Sequence, residues 1–436
     1  MDLSDNNENS SEHVRRVASF RSFLQRGNLS WWTERPFVKT LGFGGQGTVV
    51  LAERQGAGSF RMPVALKLFS PVQFKTVADY EREMLRLAEI ASMVARIQDD
   101  HLVDVHSFLE SDGIFYLEME WIDGYDLLHI LRRDTLEIIH DAVTEGRWRQ
   151  LNDQIVTTGE VDCRLKPGIA VAILRECLSG VSALHREGII HCDLKPSNVM
   201  VKRSGQVKLI DIGSAFWVGR PPVGQPCTLE YAAPEVLAGQ RATQQSDLAS
   251  LGYMLLEMLT GAKPFAGLNY SELRVAKQQL PDRLSRLLPT DTFAFSEPLI
   301  CLLNKLIAPD PRKRFPSAED AELAEDGAAG FLRQLVLSDM SFEYASEMRQ
   351  WIAEMETEAV HRLMDHDDPD EIPYGTTRIV KPDPSVTQTI DPLSAILEAE
   401  SSEQGFELNP RVESLSGKLS EGPSADSDRA SDQCSG

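Results

Sequence analysis

The chain has 436 residues, 42% of them hydrophobic and 25% charged, which suits one large bilobed domain with tails or two to three smaller domains. Its formal charge of −22 argues against a basic nucleic-acid surface, and 21 Asp/Glu against 7 Lys/Arg beyond residue 340 put most of that charge in the C-terminal tail. The polar start MDLSDNNENSSEHVRR lacks the apolar core of a signal peptide, no run of about eighteen apolar residues suggests a membrane span, and the six cysteines (163, 177, 192, 227, 301, 434) lack paired or metal-like spacing, so the chain reads as cytoplasmic with reduced thiols.

In chain order, residues 1–34 read as a disordered or loosely docked segment. From Phe37 onward come short β-rich runs: FVKTL, TVVLAE, PVALKLF, LVDVHSFL and GIFYLEME. One helix, ADYEREMLRLAEIASMVARI, interrupts them, with Leu85, Ala88 and Ser92 on one face and Leu87, Ile90 and Val94 beside it. Beyond Tyr125 the pattern is mostly helical, and GIAVAILRECLSGVSALHREG and DLASLGYMLLEMLTG are apolar enough to be buried helices. The fold class is α+β, a small antiparallel sheet with one long helix over 35–121 and a larger, mainly helical part over 122–335. Residues 134–167 read as an insertion connecting two helices of the second part. An amphipathic helix follows within 336–366, with Phe342, Ala345, Met348, Ile352, Met355, Ala359 and Leu363 at helical spacing, and 367–436 is an acidic flexible tail.

LGFGGQGTVVLAE holds Gly42, Gly44 and Gly47 in the pattern G-x-G-x-x-G. Alone the pattern fits a tight hairpin as well as a phosphate-binding loop. It lies between two strand-like runs instead of opening a helix, which disfavours a dinucleotide or P-loop site. The next strand, VALK, ends in Lys67 among apolar neighbours, where an ammonium needs a matching charge. The following helix offers Glu83, or failing that Glu81.

HCDLKPSNVM carries Asp193, Lys195 and Asn198, and KLIDIG ends a strand in Asp211. Asp211 and Asn198 can offer oxygen ligands to divalent cations, Asp193 can accept or orient a hydroxyl proton, and Lys195 can neutralise charge on a transferred phosphoryl group.

Taken together these motifs resemble a eukaryotic-type (Hanks-type) protein kinase, over residues 36 to about 335: the glycine loop 42–47, Lys67, Glu83, HCDLKPSN, DIG at 211–213, AAPE at 232–235, Asp247 and Arg314. The lysine two residues after Asp193 resembles the serine/threonine branch. The resemblance implies a bilobal protein-kinase-like fold, transfer of the ATP γ-phosphate to protein Ser/Thr hydroxyls, Asp193 and Lys195 as catalytic residues, and an Arg314–Glu235 pair. It also implies ATP and two Mg2+, with Gly42, Gly44, Gly47, Val49, Ala65, Lys67 and Glu83 around the nucleotide, Glu120 and Ile122 in a hinge at 119–124, Asp126 near the ribose, and Asn198 and Asp211 on metal. A pseudokinase scaffold and a small-molecule phosphotransferase are the alternatives.

Two positions depart from the family pattern. Ile212 stands in place of phenylalanine and remains apolar. Cys192 stands in place of the arginine that receives an activation-segment phosphate, and only Ser214 between Gly213 and the TLEY motif carries a hydroxyl. Activity independent of activation-loop phosphorylation is therefore expected. Cys192 reads as a small packing residue and not as a nucleophile with His191, since neighbours on an extended segment point apart; a redox role with Cys227 stays open. In the tail, Thr376-Thr377-Arg378-Ile379 and Thr387-Gln388-Thr389-Ile390 contain T-x-x-I, which resembles the phosphothreonine motif read by FHA domains and suggests such a partner.

Overall fold

A computed structural model of the chain describes residues 3–31, 33–222, 224–290, 297–337, 344–356 and 377–380. Helix α1 (Leu3–Arg26) leads into strands β1 (Asn28–Trp31), β2 (Thr33–Gly44), β3 (Gly47–Gln55) and β4 (Arg61–Phe69); helix α2 (Val77–Val94) then precedes β5 (Val105–Ser111) and β6 (Ile114–Glu120). The six strands form one antiparallel sheet in the order β1-β2-β3-β4-β6-β5. Its faces are sorted by the two-residue period of a strand. Along β4, Val64, Leu66 and Leu68 enter the outer cluster, whereas Ala65 and Phe69, flanking Lys67, join the inner one with α2.

The outer face is closed by α1, whose Phe20 and Phe23 are buried among Val50, Ala52, Val64, Leu66 and Leu68. Residues 3–26 thus form a docked helix where the sequence suggested disorder or loose docking. The signal was available in the i, i+3, i+4 spacing of Phe20, Phe23 and Leu24, followed by Gly27 in a left-handed conformation (φ 66°). Arg16 fastens the helix sideways, donating to Glu81 Oε1 at 2.6 Å. On α2, Tyr80, Met84, Leu87, Ile90, Ala91 and Val94 are buried while Leu85 is 66% exposed. Of the two adjacent stripes in the sequence, the one led by Leu87 faces inward.

The second lobe opens with β7 (Gly124–Asp126) and α3 (Leu127–Leu131). The 134–167 insertion is no plain connection, since it falls within α4 (Arg133–Ala142), α5 (Glu145–Gln154) and the hairpin β8 (Val156–Thr158) and β9 (Cys163–Leu165), before α6 (Pro167–Arg186). Helix α6 is apolar and long enough to cross a membrane, yet here it is a core helix, buried along most of its length. Short strands follow: β10 (Ile189–Ile190), β11 (Val199–Lys202), β12 (Val207–Leu209), β13 (Phe216–Trp217) and β14 (Gln225–Thr228). After α7 (Pro234–Leu237) comes α8 (Gln244–Thr260), with every residue from Ser246 to Thr260 buried. Then come α9 (Tyr270–Leu287), packed on α7; α10 (Glu297–Ile307), packed on α8; and α11 (Ala318–Leu323) and α12 (Ala328–Leu337), both packed on α6.

The amphipathic helix expected within 336–366 is α13 (Tyr344–Met355), and strand β15 (Thr377–Val380) is the last described element. Met348, Ile352 and Met355 are buried as their spacing requires, and Trp351 is buried with them; Phe342, Ala359 and Leu363 lie outside the described residues. Helix α13 packs on α4, α6 and β11. Arg147 on α5 donates to Glu354 at 2.6 Å, and a Cβ at Gly205 would sit 2.4 Å from the Ala345 carbonyl oxygen, so the seat is specific to this helix. The insertion therefore forms part of the cradle for α13. Trp351→Ala is expected to lower stability by about 3–5 kcal/mol, the usual cost of emptying a buried aromatic site, read from urea unfolding of the full chain.

Candidate active site

The glycine loop is the β2–β3 hairpin, with Gly42 opposite Val49 and Gly44 opposite Gly47. Gly47 has φ 150°, and a Cβ there would lie 1.9 Å from the Leu68 carbonyl oxygen, so the loop closes over β4 only with glycine at this position. Val49 pairs with Lys67 and Leu51 with Ala65, which places the loop, Val49, Ala65 and the lysine on contiguous strands.

Lys67 is buried, and its Nζ donates to Asp211 Oδ1 at 2.5 Å and Gln46 Oε1 at 2.8 Å. The carboxylates that the sequence proposed as its partners are engaged elsewhere. Glu83 accepts three bonds from the Arg86 guanidinium (2.7–3.1 Å), and Glu81 is bonded to Arg16. Arg86 sits one turn along the same helix, where its planar fork matches a carboxylate, and it also donates to the carbonyls of Ala215 (2.5 Å) and Gly213 (3.4 Å). The expected Glu83–Lys67 pair is thus replaced by a Glu83–Arg86 pair fastened to the DIG segment. Gln46 and Arg86 are the residues that sequence reasoning missed. A glutamine inside a glycine turn and an arginine on a helix carry no local signal for contacts this distant in the chain.

The stretch around Asp193 is held by a buried carboxylate. Asp247, in the first turn of α8, accepts from the backbone N–H of His191 and of Cys192 (2.9 Å each) and contacts His185 Nε2 at 2.9 Å. Cys192 has φ 68°, a left-handed conformation that costs a non-glycine residue roughly 1–2 kcal/mol and persists because Asp247 fixes its amide. Asp193 then accepts at Oδ1 from the Thr228 hydroxyl (2.6 Å) and lies 3.1 Å from Lys195, which also donates to Thr228 Oγ1 (3.0 Å). Asn198 Nδ2 donates to the Asp193 carbonyl oxygen at 2.7 Å. The Cys192 thiol is buried, and burial together with the Asp247 carboxylate pushes its pKa well up, so it stays protonated and packs. Ile212 is buried in the same core as Leu87.

Asn198 and Asp211 are brought side by side by the β11–β12 pair, extended by an Ile210 N–H bond to the Asn198 carbonyl at 2.9 Å. Burial opposes ionisation of Asp211, but the Lys67 ammonium and the Gly213 N–H win and hold its pKa down at about 2. An ionised carboxylate and an amide oxygen are hard donors. Among the described residues no cluster of three or more His, Cys, Asp or Glu could hold a metal. That donor set suits a divalent cation that takes one or two protein oxygens and completes its shell with phosphate and water.

The hinge residues are placed less simply. Glu120 accepts from Lys208 and from the Asp104 N–H, and Ile122 is buried. Asp126 caps α3, accepting from the His129 N–H at 2.9 Å, with its other oxygen 2.7 Å from His129 Nδ1.

Downstream, Glu235 and Arg314 form the expected pair, buried and doubly bonded at 2.6 and 2.7 Å. Lys277 on α9 was not foreseen: fully buried, it donates to the carbonyls of Glu230 (2.7 Å) and Ala232 (2.8 Å) over the Tyr253 and Phe265 rings. Burial pulls its pKa well down. Tyr231 donates to the buried Glu257.

The protein kinase domain model matches residues 36–323. Among curated proteins, serine/threonine-protein kinase PknD of Mycobacterium tuberculosis is 31% identical over 296 residues, 67% of this chain and 39% of that protein. PknE of Mycobacterium bovis is 30% identical over 294 residues (66% and 45%), and PknH of the same organism 29% over 310 (68% and 46%). The match thus spans less than half the length of these relatives.

Burial raises the Glu257 pKa from 4.5 to about 7, against the Tyr231 hydrogen bond. The folded chain therefore keeps this proton while the unfolded chain loses it as pH rises from 4.5 to 7, so stability falls across that window, by about 3 kcal/mol from this group, and levels off above it. In Glu257→Gln that decline is expected to be absent when urea unfolding is compared at pH 5 and 7.

Proposed function

Because the chain belongs to the protein kinase family, we propose that it is an active serine/threonine kinase that transfers the ATP γ-phosphate to hydroxyls of protein substrates, with Mg2+ as its divalent cation. The observation that carries this reading is the Asp193–Lys195–Thr228 cluster. A carboxylate hydrogen-bonded to a threonine hydroxyl and flanked by an ammonium can take the proton from an incoming hydroxyl while the cation offsets phosphoryl charge. Asn198 and Asp211 would hold the cation, which draws charge from the phosphates, and Lys67 would turn to the nucleotide. The glycine loop, Val49 and Ala65 would cover the nucleotide, with Glu120, Ile122 and Asp126 along the hinge side. Full retention of Lys67, Asp193, Asn198 and Asp211 disfavours the pseudokinase reading.

Activity would not depend on activation-segment phosphorylation. Cys192 offers no charge to a phosphate, and Ser214 is buried, with its Oγ accepting from Gln46 Nε2 at 3.3 Å. Phosphothreonine in the tail T-x-x-I motifs would recruit an FHA-domain partner; Thr376 and residues 387–390 lie outside the described residues.

Transfer from labelled ATP to a generic protein substrate tests the reading. Asp193→Ala should reduce it roughly a hundredfold or more, and Asp211→Ala should abolish it. Mass spectrometry of the active wild type should find no activating phosphate between residues 214 and 227. Wild-type activity indistinguishable from the two variants would overturn the proposal.

A further inference from the structure

Strand β15 is far from the catalytic segment in sequence but lies against it in space. Thr377–Val380 pairs antiparallel with β14 in the register Gln225↔Val380, Pro226↔Ile379, Cys227↔Arg378 and Thr228↔Thr377. The register ends on Thr228, whose hydroxyl donates to Asp193 Oδ1 at 2.6 Å. Opposed residues of an antiparallel pair have Cα atoms about 4.5–5.5 Å apart, so the backbone of residue 377 is one strand spacing from a direct partner of the proposed base.

Two features make β14 a built track for an extended chain. Among the described residues its sheet contains only β14 and β15, so without β15 the strand would present an edge of unpaired backbone groups. It is also rigidly mounted: Gln225 accepts from the Ala242 N–H at 2.6 Å and donates to the Gln240 carbonyl at 3.2 Å, while Lys277 holds the Glu230 and Ala232 carbonyls just beyond. Because Pro226 has no N–H, the ladder bonds fall on the Gln225–Val380 and Cys227–Arg378 pairs. Main-chain pairing of this kind binds extended segments with little demand on sequence.

We propose that residues 377–380 are a built-in acceptor segment: strand addition to β14 delivers Thr377 for phosphorylation in cis, and while seated the segment excludes protein substrates that need the same edge. This deepens the kinase reading above and rests on it. In the step, the Thr377 oxygen forms a bond to the γ-phosphorus of ATP as the bond to the β–γ bridging oxygen breaks. ADP leaves with that electron pair, and the hydroxyl proton passes to Asp193 and on to water.

The test uses the full-length chain, dephosphorylated and given Mg-ATP, with a peptide of residues 370–386 as substrate in trans. Wild type should acquire phosphate on Thr377 with a half-time unchanged over a roughly tenfold range of protein concentration, the mark of an intramolecular reaction. Arg378→Pro/Val380→Pro removes the two ladder donors. It should lose the Thr377 phosphate and show a several-fold lower KM for the peptide with kcat unchanged. Thr377→Ala should keep the wild-type KM. A half-time inversely proportional to concentration, or equal KM values for wild type and the double-proline variant, would overturn this inference alone. A chain inactive on both the peptide and a generic protein overturns the kinase reading with it.

Discussion

The buried carboxylate of Asp247 is the interaction on which the site depends. It sits in the first turn of α8, where burial begins at Ser246, and accepts two consecutive backbone N–H groups from His191 and Cys192. Those bonds hold a left-handed residue in place, and the chain reversal that follows presents Asp193 to Thr228 and Lys195. A carboxylate in a low-dielectric setting holds such a turn well because its lone pairs have few other claims on them. The rigidity of α8 is in this way transmitted to the reacting end of the site.

The same helix anchors the segment beyond Thr228. Tyr231 reaches Glu257, Ser250 donates to the Tyr231 carbonyl at 2.8 Å, and Glu235 is locked to Arg314. Lys277 completes the frame as a buried amine that donates to the Glu230 and Ala232 carbonyls above the Tyr253 and Phe265 rings. The track that faces substrate is thus supported from behind by buried polar groups.

The first lobe follows a different logic. Its sheet is covered on both faces, by α2 inside and α1 outside, and the two helices are linked by Arg16–Glu81. That link, together with the Arg86 fork, accounts for both carboxylates of α2 that might have met Lys67. Lys67 instead meets Asp211 and Gln46, so the nucleotide-side charges form one connected set running from the glycine turn to the DIG segment.

Much was legible in the sequence because it rests on short-range periodicity and on motifs whose spacing is set by the backbone. The two-lobed α+β order, the glycine hairpin, the Asp193–Asn198 segment and the inward stripe of α13 belong to that class, whereas the Arg314–Glu235 pair was expected only from the resemblance to protein kinases. Tertiary structure alone decided which carboxylate meets Lys67, that α1 closes the outer sheet face, that residues 134–167 help cradle α13, and that Thr377 aligns with Thr228. These outcomes depend on competition among partners distant in sequence. Arg86 outbids Lys67 for Glu83 by proximity and fork geometry, and β14 finds its partner strand about 150 residues away. Local pattern can name the charged groups and the strands, but only packing in three dimensions brings their partners within bonding distance.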